Sequence, residues 1–226
     1  MREVQQEFDQ RGFAIVAGII APGEAATISR ALDRVGAYRA GTRNLLSVPW
    51  CRAVVRRIKE RLTTAAVFPR SFVAVQCTLF DKSSSRNWLV ALHQDLSIPV
   101  RARVEHPSLG AWSKKEGGHF VQPPLEVLER LVAARIHVDA CGAENGPLKI
   151  VSGSHLHGRL SAAAARELRS EVGETECLVN SGDAVLMRPL ALHSSSKAQA
   201  PARRRVLHIV FGPPSLPLGI EWKHAV

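Results

Sequence analysis

The chain has 226 residues, 46% hydrophobic and 22% charged, which suits one domain with a sizeable core and excludes a disordered chain. Its 30 Lys and Arg against 20 Asp and Glu give a formal charge of +10. That surplus favours anionic partners, but the basic residues are scattered, only Arg203-Arg204-Arg205 cluster, and aromatics are 5%, so no nucleic-acid face is expected.

Residues 2–10, 22–36 and 48–65 carry apolar positions at helical spacing, a helical N-terminal layer over about 1–66. Pro22 stands near the start of the second stretch and Gly36 just past its end. In the third, Val54, Val55, Ile58 and Leu62 form the apolar stripe. The strand-like piece GFAIVAG lies between the first two. The N-terminus has no apolar leader segment and no run of 18 apolar residues exists, so a cytoplasmic protein with no membrane partner is expected.

From residue 71 the texture changes to short β-type runs: FVAVQCTLF, NWLVALHQD, ARIHVDA, LKIVSGS, ECLVN, AVLMRPL and RRRVLHIVFG. ENGP at 144–147, SGSHLHG at 152–158 and NSGD at 180–183 supply the turns. Many short strands without alternating helices predict an antiparallel sandwich or barrel with the helices on one sheet. The whole chain, 1–226, reads as a single domain with a β core over about 70–212. Residues 96–123 read as a long connection that carries Trp112, His119 and Gln122 and arches over whatever the preceding HQD holds. Cys51, Cys77, Cys141 and Cys177 form no CxxC pair and read as small buried hydrophobes.

Two tripeptides carry candidate chemistry, HQD at 93–95 and HVD at 137–139. On a strand, residues i and i+2 share a face, so either places an imidazole beside a carboxylate. Spacing alone leaves both open. A two-histidine, one-carboxylate iron site needs a further histidine from a later strand, and His193 closes a later apolar run. Arg204 lies eleven residues on, and a guanidinium grips a carboxylate bidentately. His155 and His157 read as turn residues, and Asp183 likewise. His208 shares a strand face with Arg204, as a core histidine or one close to a co-substrate. The serines at 194–196 lack a nucleophile elbow.

The chain resembles the phytanoyl-CoA dioxygenase (PhyH) family of Fe(II)/2-oxoglutarate-dependent oxygenases. The matching pieces are HQD at 93–95, ENGPLKIVSGSH at 144–155, GDAVLMRPLALHSSS at 182–196, RRVLHIVF at 204–211 and the opening FDQRGFAIVAGIIAPGEAATISRALDRV. The resemblance implies a mainly β protein with N-terminal helices around a double-stranded β-helix, a jelly-roll, cupin-like core. It implies Fe(II) on His93, Asp95 and His193, with Arg204, not Arg205, holding the distal carboxylate of 2-oxoglutarate. Trp112 and the strand residues Gln76 and Thr78 are expected beside that co-substrate. HQD is thereby preferred to HVD, which leaves His137 as a hydrogen-bonded partner of Asp139 or as a pocket residue. The implied activity is O₂-dependent hydroxylation of an unactivated C–H in a small, anionic or natural-product substrate, with release of succinate and CO₂. Because Asp95 is present, halogenation is disfavoured. Arg43, Asn44, His119, Gln122 and His137 are the expected substrate contacts. The alternative is a cupin-like sensor or degenerate member that binds metal without oxygenase activity.

Overall fold

The apolar stripe of each N-terminal helix decides where it lies. In the computed structural model, which describes residues 2–35, 41–199 and 203–226, these are α1 (Arg2–Arg11), α2 (Pro22–Val35) and α3 (Pro49–Thr64). Pro49 opens α3, where a missing N–H costs nothing. The expected stop at Gly36 lies outside the described residues. Phe8, Ile28, Leu32, Val55, Ile58 and Leu62 are buried against one face of a β-sheet.

That sheet has six strands. β1 (Phe13–Val16), β2 (Gly41–Thr42) and β3 (Val73–Lys82) come from the first part of the chain, and its other strands come from later. After β4 (Val90–His93), β5 (Ile98–Val100), β6 (Gly110–Lys115), β7 (Gly118–Gln122) and the short helix α4 (Leu125–Glu129) comes β8 (Val132–His137). β9 (Leu148–Ile150), helix α5 (Ala162–Val172), β10 (Thr175–Cys177), β11 (Ala184–Met187), β12 (His193–Ser195) and β13 (Arg204–Gly212) complete the chain. The large sheet runs β1-β11-β8-β13-β3-β2 and a second runs β10-β9-β12-β4. Every pairing of these strands is antiparallel.

Alternation sorts the large sheet into two faces. Ala134, Ile136, Leu207 and Ile209 turn to the helices, while Ala133, Val185, Met187 and Val210 turn inward. There they meet Leu148, Ile150 and Cys177 of the second sheet. α5 covers that sheet's outer side through Ala165 and Leu168, packed with Val151, Leu192 and Leu92. This helix was not anticipated, although Ser161 caps it by accepting from the Ala164 N–H at 3.2 Å. The four cysteines are free and buried. No helix among the described residues is long and apolar enough to cross a membrane.

The expected long connection at 96–123 is instead a small antiparallel sheet, ordered β5-β7-β6. Its core side holds Ile98, Val100 and Val121, so the apolar residues of this segment had a hydrophobic reason to form strands. Gly117 in the β6–β7 turn has φ 74°, a conformation glycine takes without strain.

Candidate metal centre

The cavity between the sheets holds about 660 Å³ and is lined by His93, Asp95 and His193 at one end. His93 and His193 are register partners on β4 and β12, with ring centroids 4.2 Å apart. β4 ends at His93, and Asp95 follows in extended chain, its N–H bonded to Pro189 O at 2.8 Å. Gln94 turns the other way: its Nε2 donates to Gly158 O and Leu190 O, and its Oε1 accepts from the Leu160 N–H. Those three bonds pin the segment that presents Asp95.

Each imidazole is oriented by a backbone carbonyl. His93 Nδ1 donates to Ala91 O at 2.8 Å, and His193 Nδ1 to Ala191 O at 2.9 Å. The proton is therefore on Nδ1, and both Nε2 lone pairs face Asp95, at 3.7 Å from Oδ1 and 3.8 Å from Oδ2. One ligand atom from each of the three residues lies within 4.8 Å of the others. Two imidazole nitrogens and a carboxylate, with further space on the cavity side, suit a divalent first-row metal that keeps open positions. Burial works to raise the Asp95 pKa, but His193, His208, His93 and Arg135 outweigh it and hold it below the usual carboxylate value. Burial brings His193 down to about 4, against the pull of Asp95. Both groups are thus in the protonation state a metal ligand needs.

Below this triad, Arg204 reaches inward from the start of β13. It is buried, and among the described residues its Nη1 contacts only Gly146 O and, at 3.8 Å, Cys141 Sγ. Its Nε is buried without a partner among the described residues. Arg205 turns outward and grips Asp139 through Nε and Nη2, both at 2.8 Å. The two neighbouring arginines are thus distinguished by their partners, one neutral and one anionic.

Gln76 and Thr78 line the cavity and are bonded to each other, Nε2 to Oγ1 at 3.0 Å. Arg43 and Gln122 line it too, with Arg43 held by Glu116 through its N–H at 2.8 Å. Four expectations need correction. Trp112 packs against Arg103 and the inner apolar cluster, not against the cavity, because a register shift between Gly110 and Ser113 re-aims β6. Trp88 is the tryptophan of the cavity wall. Asn44 is tied to Glu116 O and Lys223 Nζ, at 2.9 and 2.8 Å. On β7, alternation turns Phe120 and Gln122 to the cavity and His119 away. His137 does not pair with the Asp139 carboxylate, which Arg205 takes, and does not line the cavity; both its ring nitrogens are buried without a well-formed hydrogen bond among the described residues.

Two wall residues escaped the sequence reading or were left open by it. His208 sits with Nε2 3.8 Å from Asp95 Oδ2, and Arg135 of β8 donates Nη1 to His208 Nδ1 at 3.5 Å. An arginine only donates, so the His208 Nδ1 accepts and its proton is on Nε2. A single Arg inside an apolar strand, RIHVD, was the signal for Arg135.

The sequence matches the family described as Phytanoyl-CoA dioxygenase (PhyH) over residues 8–206. No curated protein matches it. Among solved structures, AviO1 from Streptomyces viridochromogenes Tue57 is similar at 20% identity and TM-score 0.69, over 96% of each chain. HygX from Streptomyces hygroscopicus, with nickel and 2-oxoglutarate bound, is similar at 18% identity and TM-score 0.67, over 94% of this chain and 87% of that one. SnoN, a non-heme alpha ketoglutarate dependent epimerase from nogalamycin biosynthesis, is similar at 15% identity and TM-score 0.70, over 95% of this chain and 81% of that one. The shared architecture is the double-stranded β-helix, or jelly roll.

Proposed function

From the premise that this chain belongs to the phytanoyl-CoA dioxygenase family, we propose that it is a non-haem Fe(II)- and 2-oxoglutarate-dependent dioxygenase. It hydroxylates an unactivated C–H bond of a small molecule and releases succinate and CO₂. The observation that carries this reading is one cavity with a His-Asp-His triad at one end and, in its wall, a buried guanidinium without an acidic partner among the described residues. HygX with nickel, 2-oxoglutarate and hygromycin B, and SnoN with Fe3+, alpha ketoglutarate and nogalamycin RO, support it.

His93, Asp95 and His193 are the proposed metal ligands, and Arg204 the anchor of the distal co-substrate carboxylate. Iron with 2-oxoglutarate and O₂ supplies the oxidising power when bound there. The protein's part is orientation. Ala91 O and Ala191 O hold the two rings so that each Nε2 is turned toward Asp95, where a metal would be held, and the Gln94 bonds fix Asp95 beside them. Gln76, Thr78 and Trp88 shape the wall, and the β5-β7-β6 sheet contributes Phe120 and Gln122 to it. Arg43, at the cavity wall on Glu116, is a proposed substrate contact together with Gln122.

The test is an anaerobic titration of the metal-free protein with Fe(II), then 2-oxoglutarate, following the weak visible charge-transfer band of a chelated keto acid. The band is expected in the wild type. In Arg204→Gln it should need a much higher 2-oxoglutarate concentration. Metal binding without any band would instead identify a cupin-like sensor. Neighbours in this fold include a carbocyclase and an epimerase, so product analysis must accompany turnover.

A further inference from the structure

Three cations are buried in and behind the cavity wall: Lys82, Arg135 and Arg204. All their side-chain partners among the described residues are neutral. Lys82 Nζ donates to Ser195 Oγ and Ser196 O, at 2.9 and 2.6 Å. Arg204 meets Gly146 O and Cys141 Sγ, and Arg135 meets His208 Nδ1. Among the described residues, the Nε atoms of Arg135 and Arg204 are buried and unpartnered. Asp95 is the only acid lining the cavity among the described residues. Burying a charge without a counter-ion is strongly unfavourable, so the cavity is set up to receive anions.

A charge count shows how many. This step rests on the reading above. A divalent metal, Asp95 and dianionic 2-oxoglutarate together leave one negative charge, and Arg204 neutralises it. Arg135 remains. Burial, then Arg204, lower its pKa to about 10, so it stays protonated at neutral pH. Lys82, brought to about 7 by burial and then by Arg204 and Arg135, adds a further partial charge of the same sign.

The geometry of Arg135 selects the chemistry. Its guanidinium lies over the Phe80 ring at 5.2 Å, and Nη1 is committed to His208. The Nε–Nη2 edge is left, a planar two-point donor matched to a carboxylate. One imidazole, His208, separates this guanidinium from the Asp95 carboxylate, so an acid held there sits beside the metal site. We propose that Arg135 is a second anion subsite and binds a carboxylate of the substrate, which makes the substrate class small organic acids.

The test uses protein loaded anaerobically with Fe(II) and 2-oxoglutarate and titrated with benzoate or with inorganic phosphate, read by calorimetry and by the visible band. Benzoate is expected to bind in the wild type and to perturb the band. Arg135→Gln should keep the band at the same 2-oxoglutarate concentration and bind benzoate at least about tenfold more weakly. If Arg135→Gln weakens 2-oxoglutarate as Arg204→Gln does, the guanidinium serves the co-substrate and the proposal is overturned. Unchanged benzoate affinity, or a preference for phosphate, overturns it too. Should Arg135→Gln fail to fold, Arg135→Lys keeps the charge without the fork; weaker benzoate with intact 2-oxoglutarate supports the subsite, and unchanged benzoate overturns it. If the wild type forms no band, the oxygenase reading fails by itself. Benzoate titration of the metal-free wild type and Arg135 variants then still decides the subsite, by the same loss or its absence.

Discussion

Two tripeptides of the same pattern, HQD at 93–95 and HVD at 137–139, end in opposite environments. His93 closes a strand of the smaller sheet at the cavity end, where its side chain is 41% exposed and that of Asp95 39% exposed. His137 closes β8, a strand flanked on both sides in the large sheet, and is 1% exposed. Beyond β8 the chain turns so that Asp139 leaves the interior and is caught by Arg205. Ligation needs an accessible lone pair, an anion on the same side and a third donor in register. The first tripeptide has all of these through His193, and the second has none. An H-x-D spacing is therefore only an opportunity, and the position of its strand in the sheet decides what becomes of it.

The sharpest way to break this comparison is to remove one carboxylate from each tripeptide. Asp95→Ala should abolish iron-dependent consumption of 2-oxoglutarate, while Asp139→Ala should keep full metal stoichiometry once folded. Iron content and turnover of the two purified variants check this, and equal loss of iron in both would sink the assignment of HQD. Next in size is the arginine pair. Arg204→Gln should weaken 2-oxoglutarate by roughly 2–5 kcal/mol, on the order of 30- to several-thousand-fold, and Arg205→Gln should leave it unchanged. The reverse result would place the co-substrate on the outer face of β13, which the helices cover.

What could be read from the sequence was what lies close along the chain. His93 with Asp95, the alternation that puts Gln76 and Thr78 on one face, and the opposite faces of Arg204 and Arg205 all follow from a period of two within one strand; which arginine faces inward came only from the family resemblance. Arg135 and His208 could not be joined in the same way, because they are 73 residues apart and meet only through the register of β8 on β13. Trp112 failed for a related reason: a register shift in β6 is invisible to a count of residues. The segment 96–123 reads as a connection in the sequence, yet its apolar residues are buried by three short strands of 3, 6 and 5 residues. α5 did carry its signals, Ser161 before an alanine run and Gly173 after it.

Smaller effects separate the tripeptides in stability instead of chemistry. Asp139→Ala leaves Arg205 mostly buried, with only the more distant Asp33 carboxylate at 3.3 Å. Removing one partner of a buried pair costs roughly 3–5 kcal/mol. Here the Asp139 side chain keeps 23% exposure, so about 2–3 kcal/mol is expected after discounting for solvent. Urea unfolding of the metal-free protein measures it. A loss near zero would mean that Asp33 replaces Asp139.

The least perturbing test concerns His137, whose pKa falls to about 3 through burial first and then through Arg135 and Arg204, against a smaller upward pull from the Asp139 backbone. An ordinary histidine titrates near 6.5. Between these values the unfolded chain takes up a proton that the folded protein refuses, so this group's contribution is neutral above about pH 6.5 and turns against folding as pH falls toward 3. The slope is about 1.4 kcal/mol per pH unit, which amounts to about 2 kcal/mol by pH 5. His137→Leu removes that proton and two unpartnered nitrogens. Its stability should match or slightly exceed that of the wild type at pH 7 and fall about 2 kcal/mol less on going to pH 5, both measured by urea unfolding without metal. The wild type will still lose stability to acid, since His193 and His208 are depressed as well; only the difference between the curves belongs to His137. Parallel curves would show that His137 takes up its proton in the fold as readily as in the unfolded chain. A protonated imidazole beside Arg135 and Arg204 would require an anion there in the free protein, and the second tripeptide would then belong to the binding cavity after all.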